Sequence, residues 1–226
     1  MFNDYQLMQI EIETVYPVNA EGRFVSKKSP RFFIGQTKDG NVTRFRDDVP
    51  DELVAELNEV VDSEPVVADL FAGLKYEETY KQILAKQMPI EGIGHGFGYR
   101  YPNGIPRFEH VVRVGAENVH WGAETFPWLL EEYKDCQPVI AAVDNGKFVA
   151  VCHSPYISQQ AHVAGVDTLE GYRRKGYATA VAAEWGMAVQ ALGQIPIYST
   201  GLDNVASQGV ARKVGLVHYN SDHKFR

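Results

Sequence analysis

The stretch Asp167-Thr-Leu-Glu-Gly-Tyr-Arg-Arg-Lys-Gly-Tyr-Ala-Thr179 has the types and spacing that most directly imply chemistry. Three successive cations, Arg173, Arg174 and Lys175, precede Gly176, which opens a run rich in small residues from Ala178 to Ala188. A helix starting there would aim the unpaired N–H groups of its first turn at whatever lies in front of it, and its dipole would favour negative charge. Gly176 and Ala178 leave the backbone bare, so phosphate oxygens can approach those amides. The segment reads as an anion site. Gly171 and Gly176 have the spacing of a nucleotide-triphosphate loop, but Tyr177-Ala178 stand where the lysine and the magnesium-binding hydroxyl must be, so an NTPase is disfavoured. The dinucleotide fingerprint G-x-G-x-x-G is absent there as well.

The elements that must hold this segment follow from periodicity. A strand over His162–Asp167 leads into the cationic turn, and a helix runs from about Gly176 to Leu192. Ile195–Ser199 reads as the next strand, Asn204 as the start of a helix that Gly215 caps, and Leu216–Tyr219 as a closing strand. Upstream, His110–Val114 is a short strand and Glu124–Lys134 a helix carrying Phe126, Leu129, Leu130 and Tyr133. Val139–Val143 and Phe148–His153 form a hairpin across Asp144-Asn145-Gly146. Strands met first in hairpins and then through helices imply an α/β fold with a mixed, largely antiparallel sheet. In the N-terminal third, Arg31–Gln36 and Val42–Arg46 are a hairpin over Lys38-Asp39-Gly40-Asn41, Pro50 opens one helix and Tyr76–Lys86 is another. Between Pro89 and Pro106, Gly92, Gly94, Gly96 and Gly98 alternate with His95, Phe97, Tyr99 and Tyr101. This is read as a glycine-rich connector and the domain boundary, rather than a substrate-gating loop. The boundary gives an N-terminal α+β region at 1–105 and a second domain at 106–226.

A second pattern follows the anion loop. Asn204 lies on the loop after the next strand, and a helix from it ends in Gly215, eleven residues later. Together, Arg173-Arg174-Lys175-Gly176-Tyr177-Ala178 and Asn204 to Gly215 resemble the acetyl-CoA pyrophosphate loop, Q/R-x-x-G-x-G/A, and the following helix of the GNAT N-acetyltransferase superfamily. The resemblance covers roughly residues 108–226, and the N-terminal region matches nothing in the general pattern. It implies the GNAT acyl-CoA N-acyltransferase fold with an added N-terminal α+β region. The implied activity is transfer of acetyl from acetyl-CoA to an amine, that of a small molecule, directly within a ternary complex. It further implies that Val166, Asp167 and Thr168 pair their backbone with the pantetheine arm, that Arg173, Arg174, Lys175, Gly176, Tyr177, Ala178 and Thr179 cradle the pyrophosphate, and that Asn204, with Ser207 one turn along, contacts the pantetheine.

The usual proton-transfer residues are missing. Ala211 stands where many members carry a tyrosine acid, and Ser199 where some carry a glutamate base. The remaining candidates are His162, whose ordinary pKa near 6.5 suits a base, and Tyr198 and Ser199, which point to opposite faces of their strand. Asp167, Glu170 and Asp203 could take a proton through water. The non-catalytic alternative is an acyl-CoA-binding or sensing module. GNAT chains commonly continue into a long seventh strand, whereas this chain ends eleven residues past Gly215, so the N-terminal region or a partner subunit, as in a homodimer, is expected to cover the sheet edge.

Composition narrows the remaining classes. The 226 residues carry a net charge of −7 and a pI near 5.5. That disfavours nucleic-acid partners, and Arg100 and Pro102 spoil a fragment, His95–Tyr99, that otherwise resembles an RNA-recognition signature. Residues 1–105 hold 11 basic and 17 acidic residues, net −6, and residues 106–226 hold 11 and 12, net −1, so the C-terminal part is the better anion host. Two cysteines, Cys136 and Cys152, fit a reducing cytoplasm. No secretory signal or apolar run of bilayer-spanning length is read, so a soluble cytoplasmic protein is expected. No His, Cys, Asp or Glu spacing suggests a metal, and none is expected.

Overall fold

The computed structural model describes residues 2–226. In chain order the elements are α1 (Asp4–Val15), β1 (Phe32–Thr37), β2 (Gly40–Phe45), α2 (Asp51–Val61), α3 (Glu77–Ala85), β3 (Ile93–Arg100), β4 (Val111–Arg113), α4 (Leu129–Glu132), β5 (Ile140–Asp144), β6 (Lys147–Ile157), β7 (Ala161–Thr168), α5 (Tyr177–Ala191), β8 (Ile195–Gly201), α6 (Val205–Val214) and β9 (Val217–Phe225). The fold is mixed α/β. Its residues divide into two units, one of residues up to Gly98 with Thr200–Asp203 and His218–Arg226, the other of Tyr99–Ser199 with Asn204–Val217. No helix among the described residues is long and apolar enough to cross a membrane.

In the first unit the strands run in the order β2-β1-β9-β3. The β1–β2 hairpin turns at Lys38-Asp39, with Thr37 opposite Gly40. β1 also pairs antiparallel with β9, from Phe32 opposite Phe225 to Thr37 opposite Asn220. Apolar side chains of these strands, Phe32, Ile34, Phe45 and Phe225, meet Leu57 of α2 and Tyr80, Ile83 and Leu84 of α3 in one buried cluster. Burying each such side chain is worth about 1.5–3 kcal/mol. Arg31, only 1% exposed, donates to the carbonyls of Leu84, Met88 and Pro89, closing the end of α3. α1 was not expected from the sequence, because its two isoleucines, its threonine and its valine weaken the helical signal. The available clue was the capping box, in which Asn3 Oδ1 accepts from the Gln6 amide and Gln6 Oε1 from the Asn3 amide. Glu11 of α1 is buried and accepts from the Tyr219 hydroxyl and from Asn220 Nδ2; burial raises its carboxyl pKa.

Residues 93–100 correct the connector reading, because they form strand β3. Their Gly/aromatic alternation has the period of a strand. The glycines make room for β9: a Cβ at Gly98 would fall 2.0 Å from Asn220 Nδ2, and one at Gly96 would fall 3.0 Å from the Asp222 carboxylate. The closing strand is also longer than expected, since Asn220, Ser221, Asp222 and His223 are polar yet buried. Their polarity hid a central strand.

The second unit orders its strands β8-β7-β6-β5-β4, with β7–β8 parallel and the other neighbouring pairs antiparallel. Asn145 and Gly146 turn the β5–β6 hairpin at φ 49° and 76°, the left-handed conformation that such a tight turn needs. Phe126, Leu129, Val139, Ala141, Phe148 and Val151 share a buried cluster. The helix expected over 124–134 shrinks to the single turn of α4, because Pro127 has no N–H to give and obstructs the preceding turn. α5 buries Trp185 completely, and the Tyr101 hydroxyl donates to the Ala182 carbonyl at 3.1 Å. Gly186 lets the Tyr101 ring lie against α5, since a Cβ there would sit 2.2 Å from the ring. Alanine ordinarily gains about 1 kcal/mol over glycine inside a helix. Here Gly186→Ala is expected to destabilise instead, by about 1–3 kcal/mol through overpacking. Urea unfolding of the two proteins measures it, and a more stable variant would contradict the packing described.

Candidate functional site

β7 and β8 pair at only three positions, Ala161 with Ile195, His162 with Pro196 and Val163 with Ile197. β7 then continues to Thr168 without β8, so its edge lies open beyond Val163. The ladder to β6 indicates which amides face that edge. Leu169 N donates to the Val149 carbonyl, and bonding alternates along an antiparallel pair, so Asp167 turns its backbone toward Val151 while Val166 and Thr168 turn theirs to the open side. The Thr168 hydroxyl is buried and lacks a hydrogen-bond partner among the described residues.

A turn of 3₁₀ helix at Glu170–Tyr172 leads from β7 to the cations. Arg174 adopts φ 63° and Gly176 φ 92°, both left-handed, and Gly176 sits at the N-cap of α5 with no side chain capping it. Successive amides bent through such conformations form a concave nest for an anion. The first intrahelical bond runs from Ala180 N to Gly176 O, so the amides of Tyr177, Ala178 and Thr179 precede the helical ladder. No acidic residue occupies that first turn, and a Cβ at Gly176 would meet nothing within 4 Å. Arg173, Arg174 and Lys175 are exposed; Lys175 Nζ lies 4.9 Å from the centre of the Tyr172 ring.

Asn204 caps α6, its Oδ1 accepting from the Ser207 amide at 3.0 Å. Gly215, at φ 83°, ends that helix, and Leu216 N donates back to the Ala211 carbonyl at 2.9 Å. Tyr198 projects from β8 toward α6, and its hydroxyl and Ser207 Oγ are 2.7 Å apart. Burial pushes the Tyr198 phenol up to about 12, so it stays protonated at neutral pH. Ser199, the next residue along the strand, faces the other side and is half-buried. Ala211 is fully buried and offers no proton. Cys152 is fully buried as well, with its thiol pKa pushed well up by desolvation, so it is not poised as a thiolate.

His162 lies in a buried network that sequence reasoning did not foresee. Its Nδ1 is 2.9 Å from Ser154 Oγ and its Nε2 2.7 Å from Gln194 Oε1. Trp185 Nε1 donates to Ser154 Oγ at 3.0 Å, and Gln194 Nε2 donates to the Ser158 carbonyl at 3.1 Å. The only acceptor Gln194 offers is Oε1, so Nε2 of His162 carries the proton and Nδ1 accepts from the serine hydroxyl. The ring is neutral and both nitrogens are engaged. Ser154, Trp185 and Gln194 lie 8, 23 and 32 residues from it, a spacing with no local signature.

The GNAT acetyltransferase family model matches residues 130–225. An acetyltransferase of the GNAT family from Colwellia psychrerythraea superposes with a TM-score of 0.51 at 16% identity, covering 98% of this chain and 95% of that one. A GCN5-related N-acetyltransferase-like protein from Streptococcus suis gives 0.47 at 15% identity, covering 90% and 87%. A GNAT-family structure from Novosphingobium aromaticivorans gives 0.46 at 14% identity, covering 60% of this chain, which spans 65% of that chain's length. No curated protein matches the sequence. Residues 130–225 therefore match the GNAT acetyltransferase family in sequence, and the chain has the GNAT fold.

Burial lowers the His162 pKa below its ordinary 6.5. The unfolded chain therefore takes the proton first, and stability is lost as pH falls from about 6.5 toward the folded value. Burial lowers His153 and His218 in the same direction. Urea unfolding between pH 8 and pH 5 is expected to show stability falling with pH, and His162→Gln is expected to flatten that slope while lowering stability at pH 8. An unchanged slope would mean that the ring is not held neutral as described.

Proposed function

We propose that this protein is an N-acetyltransferase that moves acetyl from acetyl-CoA directly to the amine of a small molecule, in the cytoplasm and without metal chemistry at that site. The observation that carries the proposal is the open β7 edge ending beside a helix N-terminus whose preceding loop is left-handed at both Arg174 and Gly176. That combination fits the two ends of coenzyme A, an amide-bearing arm and a diphosphate. Acetyl-CoA supplies the activated acyl group as a thioester.

In this reading, the backbone groups of Val166 and Thr168 pair with the pantetheine arm, and Asp167 keeps the strand in register through β6. The first-turn amides from Tyr177 to Thr179 bind the diphosphate, and Arg173, Arg174 and Lys175 supply the countercharge. Asn204 Oδ1 is engaged by the Ser207 amide, which leaves its NH₂ group to donate to the arm. Tyr198, kept protonated by burial, is the source of the proton for the departing thiolate, passed through Ser207. Water carries the proton lost by the amine to the exposed carboxylates of Asp167 and Glu170. His162 braces β7 through Ser154 and Gln194, leaving neither nitrogen for proton transfer. Residues 1–105 have the edge-covering role, which the pairing of β1 with β9 supports.

The rival is a non-catalytic acyl-CoA sensor, favoured by Ala211 and Ser199 at the usual tyrosine and glutamate positions. Thiol release over a broad amine panel separates the two readings, since tight acetyl-CoA binding without turnover on any acceptor would favour the sensor. In a thermal-shift assay, acetyl-CoA at 100 times its dissociation constant is expected to stabilise the protein by about 2.7 kcal/mol. ATP with magnesium is expected to do nothing. Gly176→Glu places negative charge in the nest and is expected to abolish that shift. Equal shifts in wild type and variant would remove the loop from the site. Tyr198→Phe is expected to lower kcat by about 10²-fold or more with little change in acetyl-CoA affinity; an unchanged kcat would take Tyr198 out of the proton path.

A further inference from the structure

We infer that Glu77, His95 and His223 form a binding site for a single divalent transition-metal ion of the zinc type, within the first unit of the chain. One ligand atom from each side chain lies within 4.8 Å of the other two. The two histidines face each other nitrogen to nitrogen, with Nδ1 atoms 2.9 Å apart and rings at 85°.

Strand register produces this pairing. The Glu91 and Arg226 amides bond across to the carbonyls of Arg226 and Gly92, and Gly94 and Gly96 lie against Lys224 and Asp222. The same antiparallel register sets His95 opposite His223, and α3 brings Glu77 to them from its first turn. The pairing has an electrostatic consequence. In a neutral pair one Nδ1 donates and the other accepts, which does nothing for the remaining polar atoms. His223 is 5% exposed, and its Nε2 is buried with no hydrogen-bond partner among the described residues. Among the described residues the hydrogen bonding of the ring therefore runs through Nδ1, the nitrogen that faces His95. Glu77 also forms an ion pair with Lys81 at 3.1 Å through Oε1.

Two imidazoles and a carboxylate are the donor set of zinc and its neighbours, rather than of calcium or magnesium. Around a tetrahedral ion with bonds near 2.0–2.1 Å, ligand atoms sit about 3.3 Å apart. The histidine nitrogens would open by a few tenths of an ångström and the Glu77 carboxylate would swing inward. Water would complete the fourth position. Bound in this way, the ion would tie α3 and β3, which are neighbours in sequence, to β9, whose His223 lies 128 residues beyond His95.

The test uses the full chain freed of metal by chelation. Zinc titrated by calorimetry is expected to bind at one ion per chain and to raise Tm, and cobalt(II) is expected to develop visible d–d absorption at the same stoichiometry. Glu77→Gln and His95→Gln are each expected to weaken zinc binding by about tenfold or more, and the pair together to abolish the cobalt spectrum. Circular dichroism and unchanged acetyl-CoA affinity of Glu77→Gln check that the variant is folded. The absence of saturable zinc binding by the wild-type chain would overturn the inference. Variants that bind as the wild type does would also overturn it, by placing the ion elsewhere.

Discussion

The candidate site depends on one constraint, the parting of β7 and β8 after three paired residues. A parallel ladder continued to the strand ends would spend every amide of β7 on its neighbours. Because the strands part, the backbone of Val166 and Thr168 remains available for an extended ligand. The cationic turn follows immediately in sequence, so an arm lying along that edge meets the start of α5. The polar groups that hold the parting strands are far from generic. His162, Ser154, Trp185 and Gln194 satisfy one another where the ladder ends, and the Tyr198–Ser207 contact fixes β8 to α6. Removing a partner from either group would leave a buried polar atom unpaired, at a cost of about 1–3 kcal/mol.

Each unit has its own apolar core, and the polar groups buried beside these cores give each unit its particular character. In the first unit, Glu11, Tyr219 and Asn220 form a buried network, and Arg31 closes α3. The bare glycines of β3 admit the side chains of β9, an arrangement that ordinary β-forming residues would prevent. The histidine pair lies on the strands thus brought together.

The motif-bearing part of the chain was legible because its chemistry is local. Arg173 to Thr179 and Asn204 to Gly215 owe their meaning to helix termini, and a helix terminus is specified by residues within a few positions of one another. The positive φ of Gly176 and of Gly215 follows from that local need. Elsewhere the local signal misled. Gly92 to Gly98 looked like a connector because glycine disfavours strands, and the compensating side chains of Asn220 and Asp222 lie more than a hundred residues away. The buried polar run of β9 looked like the tail of a short strand for the same reason. Pro127 was a local stop signal that the spacing of the surrounding apolar residues outweighed in the reading.

The sequence by itself determined the helix that presents its bare amides, the cations before it, the asparagine-capped helix after it and the family that stretch resembles. Tertiary structure alone decided that His162 has both nitrogens engaged, that Tyr198 rather than Ser199 faces Ser207, and that His95 meets His223. The division has a physical basis. Capping and turn conformations are settled by neighbours along the chain, whereas the protonation and partners of a buried side chain are set by groups that only the completed strand register brings within hydrogen-bonding distance.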